Sequence, residues 1–190
     1  MDTVSFVNMA DGSREEYEFL HREWKANMDG QAARNALEML GKLKGPTLGY
    51  KIDRYQHSLQ SATRALRAEE SEEMVVAALL HDVGDLLAPE NHSALAAAIL
   101  EPYVSERTHW IVKHHGIFQG YYYFHHLGGD RDARERYRGH PHFEACAAFC
   151  ERYDQNCFDP DYDTAPLETF VEMVERVFAR PPFAASGQAT

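Results

Sequence analysis

The sequence predicts an all-α fold, a helical bundle in a single domain, on three observations. Capped segments with apolar residues at helical spacing follow one another along the chain. No stretch alternates apolar and polar residues as a half-buried strand would. One run, residues 74–80 (Met-Val-Val-Ala-Ala-Leu-Leu), is apolar on every side and therefore belongs at the centre of a packed core.

Each element has its own signal. Ser13-Arg14-Glu15-Glu16 is an N-cap with an acidic first turn, opening a helix that runs to about Met28. Gln31 to Leu43 forms a second, with Leu37, Leu40 and Leu43 on its apolar face and Gly45-Pro46 as its stop. Ile52 to Ala68 forms a third, on which Tyr55, Leu59, Ala62 and Leu66 share a face. Ser71-Glu72-Glu73 starts a fourth, which carries the all-apolar run into His81-Asp82. Asn91 caps a fifth from His92 to about Leu100, and Ser105 begins a sixth that reaches His114. The stretch from Gly116 to Gly139, rich in Gly, Tyr, His and Arg, is expected to be a long functional loop. A seventh helix follows Pro141 and leads to Asp154, with an acidic turn over 159–163. The last helix runs from about Pro166 to Ala179 and stops at Pro181-Pro182. The domain is expected to span 1–183, with 184–190 as a frayed tail.

Bulk properties narrow the function. A chain of 190 residues can bury a sizeable core without disulfide staples. Its 44% hydrophobic and 26% charged residues are an ordinary globular balance. The net charge of −11 argues against non-specific nucleic-acid binding, which needs a basic surface. A locally positive pocket for a small anion stays open. No apolar run approaches the ~18 residues of a membrane span, and 1–12 lacks the pattern of a signal peptide. Cys146, Cys150 and Cys157 include no CxxC pair, so packing roles and a reducing, cytoplasmic setting are expected.

Six residues stand out chemically: His57, the doublet His81-Asp82, His92, His114 and Asp154. They fall at helix ends or turns, and the doublet emerges directly from the most apolar helix. Burying two such groups without a partner is costly, and a metal ion removes that cost. Imidazole with carboxylate suits iron, manganese, zinc or cobalt rather than calcium or magnesium. The two oxygens of Asp82 allow it to bridge two cations.

The order His57…His81-Asp82…Asp154, with "AALLHDVGD" around the doublet, resembles the HD-domain superfamily over residues 50–163. Its motif is H…HD…D on a helical bundle, and most members hydrolyse phosphate esters. The segments "HSALAAAIL", "IVKHH" and "RYDQNCFDPDYD" resemble a smaller branch, myo-inositol oxygenase and the organophosphonate-cleaving dioxygenases. That resemblance implies two iron ions, mixed-valent (Fe2+/Fe3+) in the active form. One would be held by His57, His81, Asp82 and Asp154, the other by Asp82, His92 and His114. His115 competes with His114, whose register after "WIVK" favours it. The implied activity is O2-dependent cleavage of a small 1-hydroxyphosphonate, with no nucleic-acid or membrane partner. An HD phosphohydrolase acting on a nucleotide or small ester would use the same ligands, and a sensory HD domain is a third reading.

Substrate contacts are drawn more loosely. Tyr50 and Asp53 precede His57 by seven and four residues and so share its helical face. Asp85 and Arg152 complete the expected set, and the run Tyr121-Tyr122-Tyr123-Phe124 offers ring faces for a quaternary ammonium group. The relative specific for a primary amine has a histidine where this chain has Asp85. It also has a lysine four residues past its last histidine ligand, where this chain has Phe118. The pattern points to the branch acting on 1-hydroxy-2-(trimethylammonio)ethylphosphonate, giving glycine betaine and phosphate.

Overall fold

The computed structural model describes residues 2–184, and the expected frayed tail lies outside them apart from Ala184. Eight α-helices and no strands are found among these residues: α1 (Arg14–Met28), α2 (Gln31–Lys42), α3 (Arg54–Arg67), α4 (Glu72–Leu80), α5 (His92–Leu100), α6 (Glu106–Tyr123), α7 (Phe143–Phe149) and α8 (Glu168–Phe178). The all-helical, single-domain expectation holds. Among the described residues, no helix is long and apolar enough to cross a membrane.

The caps at Ser13 and Ser105 make their side-chain hydrogen bonds, whereas Ser71 and Asn91 stand at the N-cap positions of α4 and α5 without one. Ser13 Oγ accepts from the Glu16 backbone N–H, and Glu16 Oε2 accepts from the Ser13 backbone N–H, a reciprocal capping box that starts α1. Ser105 Oγ accepts from the Thr108 backbone to start α6. α4 is the centre of the bundle: every residue from Met74 to Leu80 is buried, and α3, α8 and α6 pack around it. α5 lies along α6, and α7 covers the other side of α6. The three cysteines are free and buried in or against this core.

One expectation is corrected. The segment from Gly116 is not a loop, because α6 continues without a break to Tyr123. The glycines that suggested a loop are sites of close packing. A Cβ at Gly116 would lie 2.7 Å from Ser93 Oγ of α5, and one at Gly120 would run into the Phe124 ring. Two 3-10 turns, Phe124–Leu127 and Ala133–Tyr137, occupy most of the chain between α6 and Gly139.

Candidate metal centre

Four helices and one irregular turn bring the chemistry together. α3 supplies His57, the end of α4 supplies His81-Asp82, the start of α5 supplies His92, and α6 supplies His115. Asp154 ends a π-helical turn, Cys150–Asp154, in which the Gln155 N–H donates to the Cys150 carbonyl at 3.0 Å. The wider turn places one extra residue between α7 and Asp154.

The distances describe one cluster with two halves. His57 Nε2 lies 3.2 Å from His81 Nε2, 3.5 Å from Asp82 Oδ2 and 3.4 Å from Asp154 Oδ1. His81 Nε2 lies 3.5 Å from Asp82 Oδ2 and 3.8 Å from Asp154 Oδ1. The other oxygen of the same aspartate, Asp82 Oδ1, faces His115 Nε2 at 3.3 Å and His92 Nε2 at 3.7 Å. Donors about 2.1 Å from a shared ion sit about 3–3.5 Å from one another, so these spacings match ligand shells.

The tautomers point the same way. His57 Nδ1 donates to the Cys157 carbonyl at 3.0 Å, His81 Nδ1 to Ala78 at 2.8 Å, His92 Nδ1 to Pro89 at 3.0 Å, and His115 Nδ1 to Val112 at 2.7 Å. A carbonyl oxygen can only accept, so each Nδ1 carries the proton and each neutral ring aims an Nε2 lone pair into the cluster. Two such lone pairs 3.2 Å apart repel unless a cation lies between them. Asp154 Oδ2 is buried with no hydrogen-bond partner, a second demand for positive charge. The residues present fit metal binding.

Without metal, a proton must serve instead. Burial opposes charge on His81, yet the carboxylates of Asp82 and Asp154 overcome it and raise its pKa to about 9. Burial likewise works against the ionised forms of Asp82 and Asp154, but their histidine neighbours hold both well below the usual carboxylate range. Asp85 is pushed up by burial and by the neighbouring Asp82, with Arg54 opposing.

The register of α6 corrects one expected ligand. His115 is buried and faces Asp82, whereas His114 turns outward, its ring stacked on Trp110 at 4.2 Å and edge-on to Tyr137 at 4.7 Å. Its Nδ1 donates to the Trp110 carbonyl. A step of about 100° per residue separates the two rings, so only one can reach the cluster. The position four residues past the histidine becomes Gln119 instead of Phe118, which is a core residue.

Two expected substrate contacts are also elsewhere. Asp53 is the N-cap of α3, its carboxylate accepting from the Gln56 N–H at 2.8 Å and the Gly45 N–H at 3.3 Å. Arg152 is exposed on the π turn, beside Tyr153. Asp85 does border the site, with Oδ1 3.4 Å from His92 Nδ1. Tyr50 is half exposed and stacks on Phe158 at 4.6 Å, which in turn stacks on His57 at 4.4 Å. Of the tyrosine run, Tyr121 is occupied by the guanidinium groups of Arg134 and Arg131, and Tyr122 packs against the core. Tyr123 is the one beside the site. Burial and the charges of Tyr50, Asp154 and Asp82 raise its phenol above the ordinary value, with Arg54 opposing.

Two residues went unread in the sequence. Arg54, three residues before His57 and so on its helical face, contacts Asp82 Oδ2 at 3.2 Å and Asp85 Oδ2 at 3.0 Å. Gln119, one turn past His115, donates from Nε2 to Asp154 Oδ1 at 2.9 Å. The i−3 and i+4 spacings were the available signals.

No curated protein matches the chain. A family model, the HD domain, matches residues 54–156, a span that contains every side chain of the cluster. By fold, ligand order and this match, the chain belongs to the HD-domain family, whose members are typically metal-dependent enzymes.

Proposed function

We propose that the chain is an O2-dependent di-iron oxygenase that cleaves the C–P bond of a small 1-hydroxyphosphonate. The preferred substrate is (1R)-1-hydroxy-2-(trimethylammonio)ethylphosphonate, and the products are glycine betaine and phosphate. The observation that carries this reading is the division of Asp82, whose two oxygens face different histidine pairs. One position has four protein ligands, His57, His81, Asp82 and Asp154, all buried. The other has three, Asp82, His92 and His115, and its His92 side chain is 24% exposed. The poorer ligand set on the more open side suits a chelating substrate.

The chain's own residues fit a zwitterion. Arg54 and Asp85 form an ion pair at the edge of the cluster, offering a cation for the phosphonate and a carboxylate for the ammonium group. Tyr50 and Tyr123 add ring faces toward a trimethylammonium group. Phe158 and the buried helices keep bulk water from His57. An iron pair would supply the redox chemistry that activates O2 and breaks the C1–H bond. The reaction balances, since carboxylate and phosphate together hold two more oxygen atoms than the substrate.

The test uses iron-loaded protein prepared without air. Phosphate release from the substrate should require O2 and consume one O2 per phosphate, and the resting protein should show the electron-spin-resonance signal of a mixed-valent iron pair. Phosphate release that persists without O2, or turnover of a phosphate ester with manganese or cobalt in its place, refutes this reading and leaves the hydrolase.

A further inference from the structure

Gln119 and His115 leave the same face of α6, four residues apart, so the amide of Gln119 arrives beside the cluster. Its orientation follows from its partner. A carbonyl oxygen turned toward Asp154 would set two acceptors against each other, so the NH2 group faces the carboxylate and donates at 2.9 Å. That choice leaves Gln119 Oε1 buried without a donor.

Buried acceptors are nearly always satisfied, and the two orphans here, Asp154 Oδ2 and Gln119 Oε1, belong to side chains that hydrogen-bond each other through their other atoms. The aspartate oxygen has a metal ion to meet. An amide oxygen calls for a hydrogen-bond donor, and the surrounding site offers few. Asp82, Asp85 and Asp154 accept, the four histidine Nε2 atoms are lone pairs, Arg54 directs its Nη1 to Asp82 and its Nε to Asp85, and neither Tyr50 nor Tyr123 hydrogen-bonds Gln119 Oε1. The missing donor belongs to the ligand.

We infer that Gln119 is a specificity-determining residue, its carbonyl oxygen accepting a hydrogen bond from the substrate's C1 hydroxyl while its amide nitrogen holds Asp154. The inference rests on the hydroxyphosphonate reading and deepens it, because it says which feature of the substrate is recognised. An alcohol can donate at that point. An ionised phosphate or phosphonate oxygen only accepts, and Gln119 Oε1 repels it. The site therefore selects α-hydroxylated anions over bare phosphate esters.

The experiment measures binding without turnover. Iron(II)-loaded protein, kept free of O2, is titrated calorimetrically with 1-hydroxyethylphosphonate and with ethylphosphonate, which lacks only the hydroxyl. Wild type should prefer the hydroxylated compound. In Gln119→Met the preference, read as the ratio of the two affinities, should fall about tenfold, as the loss of one buried hydrogen bond implies. Gln119→Glu, kept protonated by the facing Asp154 carboxylate so that its OH replaces the amide donor, keeps an acceptor and should keep the preference, whether or not the Met variant takes up iron. A wild type that binds the two alike or binds neither overturns the inference. So does a Met variant with undiminished preference, or a Glu variant that loses it. Because O2 plays no part, a preference that behaves as expected stands even if no O2-dependent phosphate release is found.

Discussion

Gly84, two residues past Asp82, controls how closely His92 can approach. A Cβ at this position would lie 2.8 Å from His92 Cα and 3.0 Å from its carbonyl carbon, and closer still to its carbonyl oxygen. Carbon atoms prefer to be about 3.5 Å or more apart, so Gly84→Ala must push the His92 backbone away by at least about 0.7 Å. A metal–imidazole bond of about 2.1 Å does not stretch that far. Overpacking of this kind costs about 1–3 kcal/mol, which in a chain of this size lowers Tm by roughly 2–12 °C. The expected result is a folded protein that retains the ion of the His57–His81 half and loses the one shared by His92 and His115. Metal analysis by plasma mass spectrometry should fall from two ions per chain to one, with the helical circular-dichroism spectrum unchanged. Two ions bound with wild-type affinity at an unchanged Tm would refute the reasoning.

Other perturbations test separate steps. His115→Ala should lower metal content, whereas His114→Ala should leave it unchanged and disturb only the Trp110 fluorescence. Leu79, fully buried at the centre of α4, should cost about 2–5 kcal/mol when cut to alanine, read by denaturant unfolding. Gly41 in α2 has open space around it, so Gly41→Ala should raise stability by about 0.5–1 kcal/mol and leave the metal untouched. The metal-free protein has its own pH dependence. His81 titrates higher folded, at about 9, than its ordinary 6.5, so its stabilisation is complete below about 6.5 and is lost as pH rises through about 9. Thermal melts of metal-free protein should fall across that window, and a flat profile would argue against a proton standing in for the metal.

Local signals carried most of the fold. The capping box at Ser13 and the all-apolar α4 were legible because cap chemistry and burial are written in neighbouring residues. Long-range packing was not. Gly116 and Gly120 read as breakers, yet each is small because another segment passes close by, a fact about α5 and Phe124 that no local pattern contains. The same limit produced the exchange of His114 for His115, since adjacent histidines differ only in which side of α6 meets the core. Asp53 was read as a ligand contact although its place before Arg54 is also that of a helix cap, and the cap is what the fold uses. Arg54 was missed for the opposite reason: its spacing from His57 marks a shared face, but nothing local marks the two aspartates it meets there.

The π turn before Asp154 has a consequence for how this chain tolerates change in length. Were this turn to tighten to ordinary α pitch with all its residues kept, Asp154 would be carried about 100° around the axis. The carboxylate would then leave His57 and Gln119 for another face. Removing one residue between Cys150 and Tyr153 would instead absorb the turn and leave Asp154 near its present face, so this segment tolerates the loss of a residue but not tightening at constant length.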